Sequence, residues 1–157
     1  MLSDQVNKLF RQKGLTLGSV ESLTGGLFAH EITAISGASN FYKGGYITYA
    51  TEEKIKLISV PENVIKQFGV VSREVAYHMA NNARQLLGVD VCVSFTGNAG
   101  PSVMENKPVG EVHIGISTSD SAQVYSLRFS GTRSEIQKEC VKFALQKLIE
   151  LANSLRK

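Results

Sequence analysis

Cysteines, long apolar runs and clustered charges are all scarce in this sequence of 157 residues. Its two cysteines, Cys92 and Cys140, lie in no C-x-x-C motif and have no histidine at metal-ligand spacing. We therefore expect no metal site, and we interpret both cysteines as small core residues of a reduced, cytoplasmic protein. No window approaches the roughly 18 consecutive apolar residues of a membrane span, and the N-terminal segment lacks the apolar stretch of a signal peptide.

The charges are too evenly spread to indicate a nucleic-acid partner. Lys and Arg number 17 against 14 Asp and Glu, which gives a formal net charge of +3, and the basic residues are scattered along the chain. Proteins that bind nucleic acids usually gather such residues on one face. With 43% hydrophobic and 20% charged residues, the composition is that of an ordinary globular protein. The length predicts a single domain over residues 1–157.

The sequence also lacks the common motifs for nucleotide binding and hydrolysis. It contains no G-x-x-x-x-G-K-[ST] phosphate loop, no G-x-G-x-x-G fingerprint, no G-x-S-x-G elbow and no H-E-x-x-H zinc motif. Any catalytic function must therefore use another constellation of residues.

Strand-like runs alternate with amphipathic helical patterns, and a hairpin follows. Runs that favour strands span 15–20, 44–50 and 89–96, and the runs 110–118 and 122–129 are predicted to pair as a hairpin. Polar residues able to cap a helix precede or open the helical patterns: Ser3, Thr24, Thr51 and Ser72. This order predicts a three-layer α/β/α sandwich with a mixed, mostly parallel sheet. In such sheets, ligands bind beyond the carboxyl ends of the strands.

The last helix is predicted from about Thr132 to the end of the chain. Two neighbouring apolar stripes run along it, one from Ile136 to Leu155 and one from Val141 to Ile149. An apolar arc this wide is typical of a helix that is either deeply buried or covered by another subunit. Both interpretations are open at this point.

The stretch "SVESLTGGLF" places Ser22 between a predicted strand and a predicted helix. Thr24, Gly25 and Gly26 would present backbone amides at the helix N-terminus, where the helix dipole favours negative charge. Ser22 could attack a carbonyl whose developing oxyanion these amides, or those near Gly97, would bind. The alternative is a simple turn with a capping threonine and two glycines that allow close packing.

The stretch "TYATEEK" contains a lysine at an unfavourable position. If Thr51 is the N-cap, Lys54 lies in the first turn of a helix, where the dipole opposes a cation and lowers its pKa. A neutral lysine can take a proton from a serine. Tyr49, at the end of the preceding strand, could orient the lysine or a substrate. The alternatives are a surface lysine paired with a glutamate and a half-buried strand aromatic.

The segment "FTGNAGP" ends a buried strand with small residues, which leaves room for a ligand. Its substrate-binding candidates are Thr96, Gly97, Ala99 and Gly100. Lys107 and Arg133 are candidates to meet a phosphate group, although a basic residue taken alone is more often a surface charge.

Six stretches occur together in the order and spacing of one known family: "ESLTGG", "GGYITYATEEK", "GVVS", "FTGNAGP", "KPVG" and "FSGTR". Over nearly its whole length the sequence resembles the CinA C-terminal domain family, in particular its stand-alone nicotinamide-nucleotide amidohydrolases. The resemblance implies hydrolysis of the carboxamide of nicotinamide mononucleotide to nicotinate mononucleotide and ammonia. It also implies no required cofactor and a homo-oligomer, commonly a dimer. By the same resemblance, Ser22 is the nucleophile, Lys54 is its base and Tyr49 belongs to the same motif.

Four departures from the family pattern alter the predicted wall of the pocket. Ala50 and Thr51 stand where the family has Ser-Asn, Asn98 replaces an apolar residue, and residues 102–105 replace a glycine-rich stretch. Gln137 stands where the family often has an arginine. Thr51 is retained as a substrate-binding candidate. The departures leave open an alternative function, a non-catalytic module that binds pyridine nucleotides or has a regulatory role.

Overall fold

Helices and strands alternate up to the third strand, and an antiparallel hairpin and a long helix follow. The computed structural model describes residues 1–155. Its elements are α1 (Leu2–Lys13), β1 (Leu17–Glu21), α2 (Leu27–Thr33), β2 (Tyr42–Ile47), α3 (Thr51–Ile58), α4 (Glu62–Phe68), α5 (Arg73–Leu87), β3 (Val91–Gly97), β4 (Glu111–Thr118), β5 (Ala122–Arg128) and α6 (Arg133–Ser154), with a 3₁₀ turn at Ala38–Asn40.

The five strands form one mixed sheet in the order β2-β1-β3-β4-β5, which confirms the predicted fold class. β1 pairs in parallel with both β2 and β3, whereas β4 pairs antiparallel with β3 and β5. Glu21, at the end of β1, lies in register with Ile47 of β2 and with Phe95 of β3. The residues that follow these three positions therefore meet at one edge of the sheet, where α/β proteins bind ligands.

Apolar layers cover both faces of the sheet. On one face, α1, α2 and α6 enclose a core that includes Phe10, Phe28, Ile114 and Leu148. On the other, α3 and α5 pack around the apolar residues Val20, Ile58, Val75 and Met79. Since β1 and β3 lie between the two layers, their side chains are almost all buried, as expected for interior strands.

The broad apolar face of α6 is largely covered within the chain itself. Its buried residues include Ile136, Cys140, Val141, Ala144, Leu145, Leu148 and Ala152. Deep burial, one of the two interpretations of this helix, therefore accounts for most of the arc. The prediction that the helix continues to the end of the chain falls partly on residues 156–157, which lie outside the described residues.

The predicted cap at Ser72 is confirmed, and the predicted start of the last helix near Thr132 proves to carry a cap as well. The Ser72 side chain accepts a hydrogen bond from the Val75 amide, and Thr132 forms a capping box with Glu135 at the start of α6.

Three predicted caps are wrong. Ser3 lies inside α1, whose N-cap is Met1, and Thr51 is the first residue of α3, whose N-cap is Ala50. Thr24 precedes α2 altogether, because Gly26 is the N-cap and a nearby carboxylate takes over the capping role.

Both cysteines lie in the core as free thiols, and burial raises the pKa of Cys140 to about 12.

Among residues 1–155, no helix has the length and apolar character needed to cross a bilayer.

Candidate active site

Ser22 and Lys54 meet at the carboxyl edge of the sheet. Ser22 directly follows β1, and its amide donates to the carbonyl of Phe95 at 3.0 Å, which ties it to β3. Nζ of Lys54, on α3, donates to Ser22 Oγ at 3.0 Å and to the carbonyl of Thr48 at 2.7 Å. The Nζ–Oγ distance lies within the range of about 2.6–3.2 Å over which a base can take a proton from a nucleophile.

Burial dominates the electrostatics of Lys54. Its side chain is 1% exposed, and this desolvation lowers its pKa from 10.5 to about 8, against the opposing charges of Glu105 and Glu52. At pH 7, about one molecule in ten therefore carries a neutral Lys54. Helix position contributes less than the sequence suggested, because Lys54 is the fourth residue of α3 rather than the third.

The backbone amides of the glycine turn are largely used within the chain. Gly25 N–H donates to the carbonyl of Ser22, and Gly26 N–H donates to the carboxylate of Glu21. The same carboxylate accepts from the Thr24 hydroxyl at 2.6 Å and from the amides of Phe28 and Ala29. Glu21, 1% exposed, thus occupies the start of α2, where the sequence predicted that backbone amides would bind an oxyanion.

Small residues at the end of β3 and directly after it hold the edge of the sheet together. The Thr96 hydroxyl donates to the carbonyl of Val70 at 2.7 Å, and Ala99 is buried in the core. Gly97 packs so closely on β4 that an added Cβ would lie 2.6 Å from the carbonyl oxygen of Glu111. The side chains of these residues therefore serve packing and backbone contacts.

Arg133 bridges two loops beside the Ser22–Lys54 pair. Its guanidinium donates to the carbonyl of Gly100 and to the hydroxyl of Tyr49, each at 2.7 Å. Tyr49 lies beyond the end of β2 rather than in it and is 59% exposed. Its backbone carbonyl, 3.4 Å from Lys54 Nζ, contacts the dyad, while its ring stands at the surface.

Lys107, a predicted phosphate contact, is engaged by the chain. Its ammonium donates to the carbonyls of Phe68 and Val71 and forms an ion pair with Glu105 at 3.2 Å. Partial burial tends to raise the pKa of Glu105, but hydrogen bonds from the Val70 and Val71 amides and from Lys107 hold it below its usual value. These contacts fasten the β3–β4 loop to the segment before α5.

Three polar residues shape the site, although none of them was a predicted catalytic or substrate-binding residue. Glu21 organises the turn after Ser22, and the Asn98 amide holds the β3–β4 loop through contacts with Met104 and Lys107. Gln137 Nε2 reaches from α6 to the carbonyl of Leu23 at 2.8 Å. Only Glu21 carried a local signal, since it stands directly before the turn whose amides it binds.

A surface cavity of about 510 Å³ lies between α5 and β5 and is lined by residues such as Arg73, Tyr77 and Val124. Neither Ser22 nor Lys54 lines this cavity. Chemical geometry, rather than cavity size, therefore identifies the candidate site. Within residues 1–155, no three His, Cys, Asp or Glu side chains are grouped closely enough to hold a metal ion.

Fold and site together define a three-layer α/β/α domain that carries a buried Ser-Lys pair at the carboxyl edge of its sheet. The chain belongs to the CinA C-terminal domain family, whose sequence model matches residues 1–152.

Named relatives and solved structures agree with this assignment. Competence-damage inducible proteins of Caldicellulosiruptor saccharolyticus and Bacillus mycoides are 43% and 42% identical over 94% and 91% of this chain. The chain spans only 36% and 35% of the length of these two relatives.

The crystal structure of the competence/damage inducible protein CihA from Agrobacterium tumefaciens is 33% identical, with a TM-score of 0.92 over 96% of this chain and 93% of that one. A CinA superfamily protein from Klebsiella pneumoniae is 26% identical, with a TM-score of 0.95 over 98% and 97% of the two chains.

Proposed function

We propose that the chain hydrolyses the carboxamide of nicotinamide mononucleotide, with Ser22 as nucleophile and Lys54 as its base. The observation that carries this proposal is the 3.0 Å contact between Ser22 Oγ and a buried lysine whose pKa is lowered to about 8. The substrate class rests on the resemblance of the sequence motifs to nicotinamide-nucleotide amidohydrolases. The names of the relatives describe no reaction.

The proposed reaction proceeds through an acyl-enzyme. Neutral Lys54 takes the proton of the Ser22 hydroxyl while Oγ attacks the carboxamide carbon. When the tetrahedral intermediate collapses, the C–N bond breaks and the leaving nitrogen receives the proton from Lys54, so that ammonia departs. Lys54, neutral again, then activates a water molecule that hydrolyses the ester, releasing nicotinate mononucleotide and restoring the serine.

Arg133 is the proposed contact for the substrate phosphate. Its guanidinium has five N–H donors, of which the two hydrogen bonds to Gly100 and Tyr49 use only a part. Lys107 is a weaker candidate, because three oxygen acceptors of the chain already surround its ammonium. The exposed ring of Tyr49 offers a flat apolar surface on which the pyridine ring can pack.

We propose a homodimer as the assembly and the cytoplasm as the compartment. Exposed apolar side chains, including Ile47, Leu57 and Phe68, offer surface for a second copy. Free, buried thiols are compatible with a reducing compartment. Light scattering after size exclusion tests the dimer directly.

Release of ammonia from nicotinamide mononucleotide by the purified chain tests the reaction. We expect Ser22→Ala and Lys54→Met to abolish release, while calorimetry still detects binding of the nucleotide to Ser22→Ala. Unchanged turnover in both variants would show that Ser22 and Lys54 are not the catalytic pair. Binding to the wild type without consumption would instead support the alternative, a non-catalytic pyridine-nucleotide-binding module.

A further inference from the structure

Two hydrogen bonds fix the first two peptide groups after Ser22. The carbonyl of Ser22 accepts from the Gly25 amide at 3.0 Å, and the carbonyl of Leu23 accepts from Gln137 Nε2 at 2.8 Å. Both peptide bonds are trans, so each carbonyl points opposite to the N–H of the following residue. The Leu23 N–H is therefore directed away from Gly25, and the Thr24 N–H away from α6.

Neither of these two N–H groups has an acceptor within residues 1–155. Leu23 is only 4% exposed and Thr24 only 3%, and buried backbone amides are almost always paired with protein, water or ligand. The amides of the next residues are already used, as that of Gly26 is by Glu21. The two free amides directly follow the nucleophile.

We propose that the Leu23 and Thr24 N–H groups bind the oxyanion formed at Ser22, and that Gln137 is the positioning residue that aims the Thr24 amide. This inference rests on the proposed amide hydrolysis. As the bond from Ser22 Oγ to carbon forms, the carbonyl π electrons move to oxygen, and two N–H donors meet the new charge. The electrons return when the C–N bond breaks and Lys54 protonates the departing nitrogen.

Gln137 is well placed for this role because its own backbone is fixed. It follows fully buried Ile136 in α6, and the capping box of Thr132 and Glu135 sets the start of that helix one turn earlier. Its side chain is partly buried, so the hydrogen bond to Leu23 is shielded from competing water. Deleting an oxyanion donor costs about 100- to 1,000-fold in kcat, and misdirecting one of two donors should cost about 10-fold.

The test compares Gln137→Met and Gln137→Glu with a control on the same helix. Met keeps the length of the side chain without a donor, and Glu keeps the shape but only accepts hydrogen bonds at neutral pH. Gln146→Met makes the same change at an exposed position of α6. The first readout is the rate at which a small fluorophosphonate modifies Ser22, measured by intact mass, because this reaction also develops charge on an oxygen facing the amides.

We expect both Gln137 variants to lower the phosphonylation rate and the kcat for nicotinamide mononucleotide by about 10-fold, with KM nearly unchanged, and Gln146→Met to match the wild type. Rates are normalised to the folded fraction from circular dichroism. Equal phosphonylation of Gln137→Met and wild type would overturn the inference, as would a wild type that is not phosphonylated at Ser22. If the wild type is phosphonylated but releases no ammonia, the proposed function fails, while the phosphonylation rates still decide the role of Gln137.

Discussion

Replacing Lys54 by Met measures the energetic cost of burying its charge. The side chain is 1% exposed, and burial lowers its pKa from 10.5 to about 8. At about 1.36 kcal/mol per pKa unit, this difference corresponds to about 3 kcal/mol by which folding disfavours the charged form relative to the neutral one. Methionine fills a similar volume and carries no proton, so the variant removes this cost at every pH.

The cost of burying the Lys54 charge makes the free energy of unfolding depend on pH. Between about pH 8 and pH 10.5, Lys54 keeps its proton in the unfolded chain but has released it in the folded chain. The free energy of unfolding therefore rises with pH across this window and is flat on either side of it, as far as Lys54 is concerned. Subtracting the free energy of unfolding of Lys54→Met from that of the wild type cancels the contributions of the other titrating groups. We expect this difference to grow by about 3 kcal/mol as the pH rises through the window.

Urea denaturation followed by circular dichroism at a series of pH values gives this difference. Lys56→Met is the matched control, because Lys56 lies on the same helix with its side chain 70% exposed, so that this variant removes no buried charge. If the free energies of unfolding of the two variants follow parallel curves from pH 7 to pH 11, burial does not suppress the charge of Lys54. The lowered pKa that supports Lys54 as a base would then be contradicted.

Four further outcomes follow from the same contacts. The kcat/KM for ammonia release should rise with pH around an apparent pKa of about 8, and a midpoint near 10 would contradict a base of lowered pKa. Glu21→Gln should lower the free energy of unfolding by about 1–3 kcal/mol in urea, because the new NH₂ replaces one carboxylate oxygen and cannot accept from the backbone amide, of Phe28 or of Ala29, that this oxygen binds. Thr132→Ala should cost about 1 kcal/mol in the same assay by removing the cap of α6, and a change below a few tenths would show that the cap is redundant. Arg133→Met should raise KM for the mononucleotide but not for the nucleoside without phosphate. An equal rise of KM for both would show that Arg133 only holds the two loops of Gly100 and Tyr49 together and does not bind the phosphate.

The meeting of Ser22 and Lys54 could be anticipated because the family resemblance pairs these two residues, and strand order and local pattern agree with that pairing. Buried apolar strands that end in polar or small residues predict a parallel arrangement whose carboxyl ends share one edge, and β1, β2 and β3 have this arrangement. The sequence signal of Lys54 is its locally unfavourable position on a short helix. The larger cause of its lowered pKa, burial, is a property of the assembled edge and has no local signature.

The polar contacts that shape the site could not be anticipated, because they join distant parts of the chain or depend on the conformation of a loop. Gln137 reaches Leu23 across 114 positions of sequence, and Arg133 reaches the hydroxyl of Tyr49 across 84. Helical periodicity places Gln137 beside the buried stripe of α6 but does not reveal what its amide contacts. Likewise, Glu21 displaces Thr24 as the cap of α2 only because the turn folds back over the end of β1.

Two of the departures from the family pattern have a different meaning once their contacts are known. Asn98 and Gln137 appeared as changes in the wall of a substrate pocket, yet both side chains bind backbone groups of the chain, Asn98 within the β3–β4 loop and Gln137 at the turn of the nucleophile. A side chain that holds the backbone in this way shapes a site through the conformation of the segment that it binds. These substitutions should therefore affect the rate of the chemical step and the order of the loops more than the choice of substrate, which leaves recognition to groups with free donors at the rim, above all Arg133.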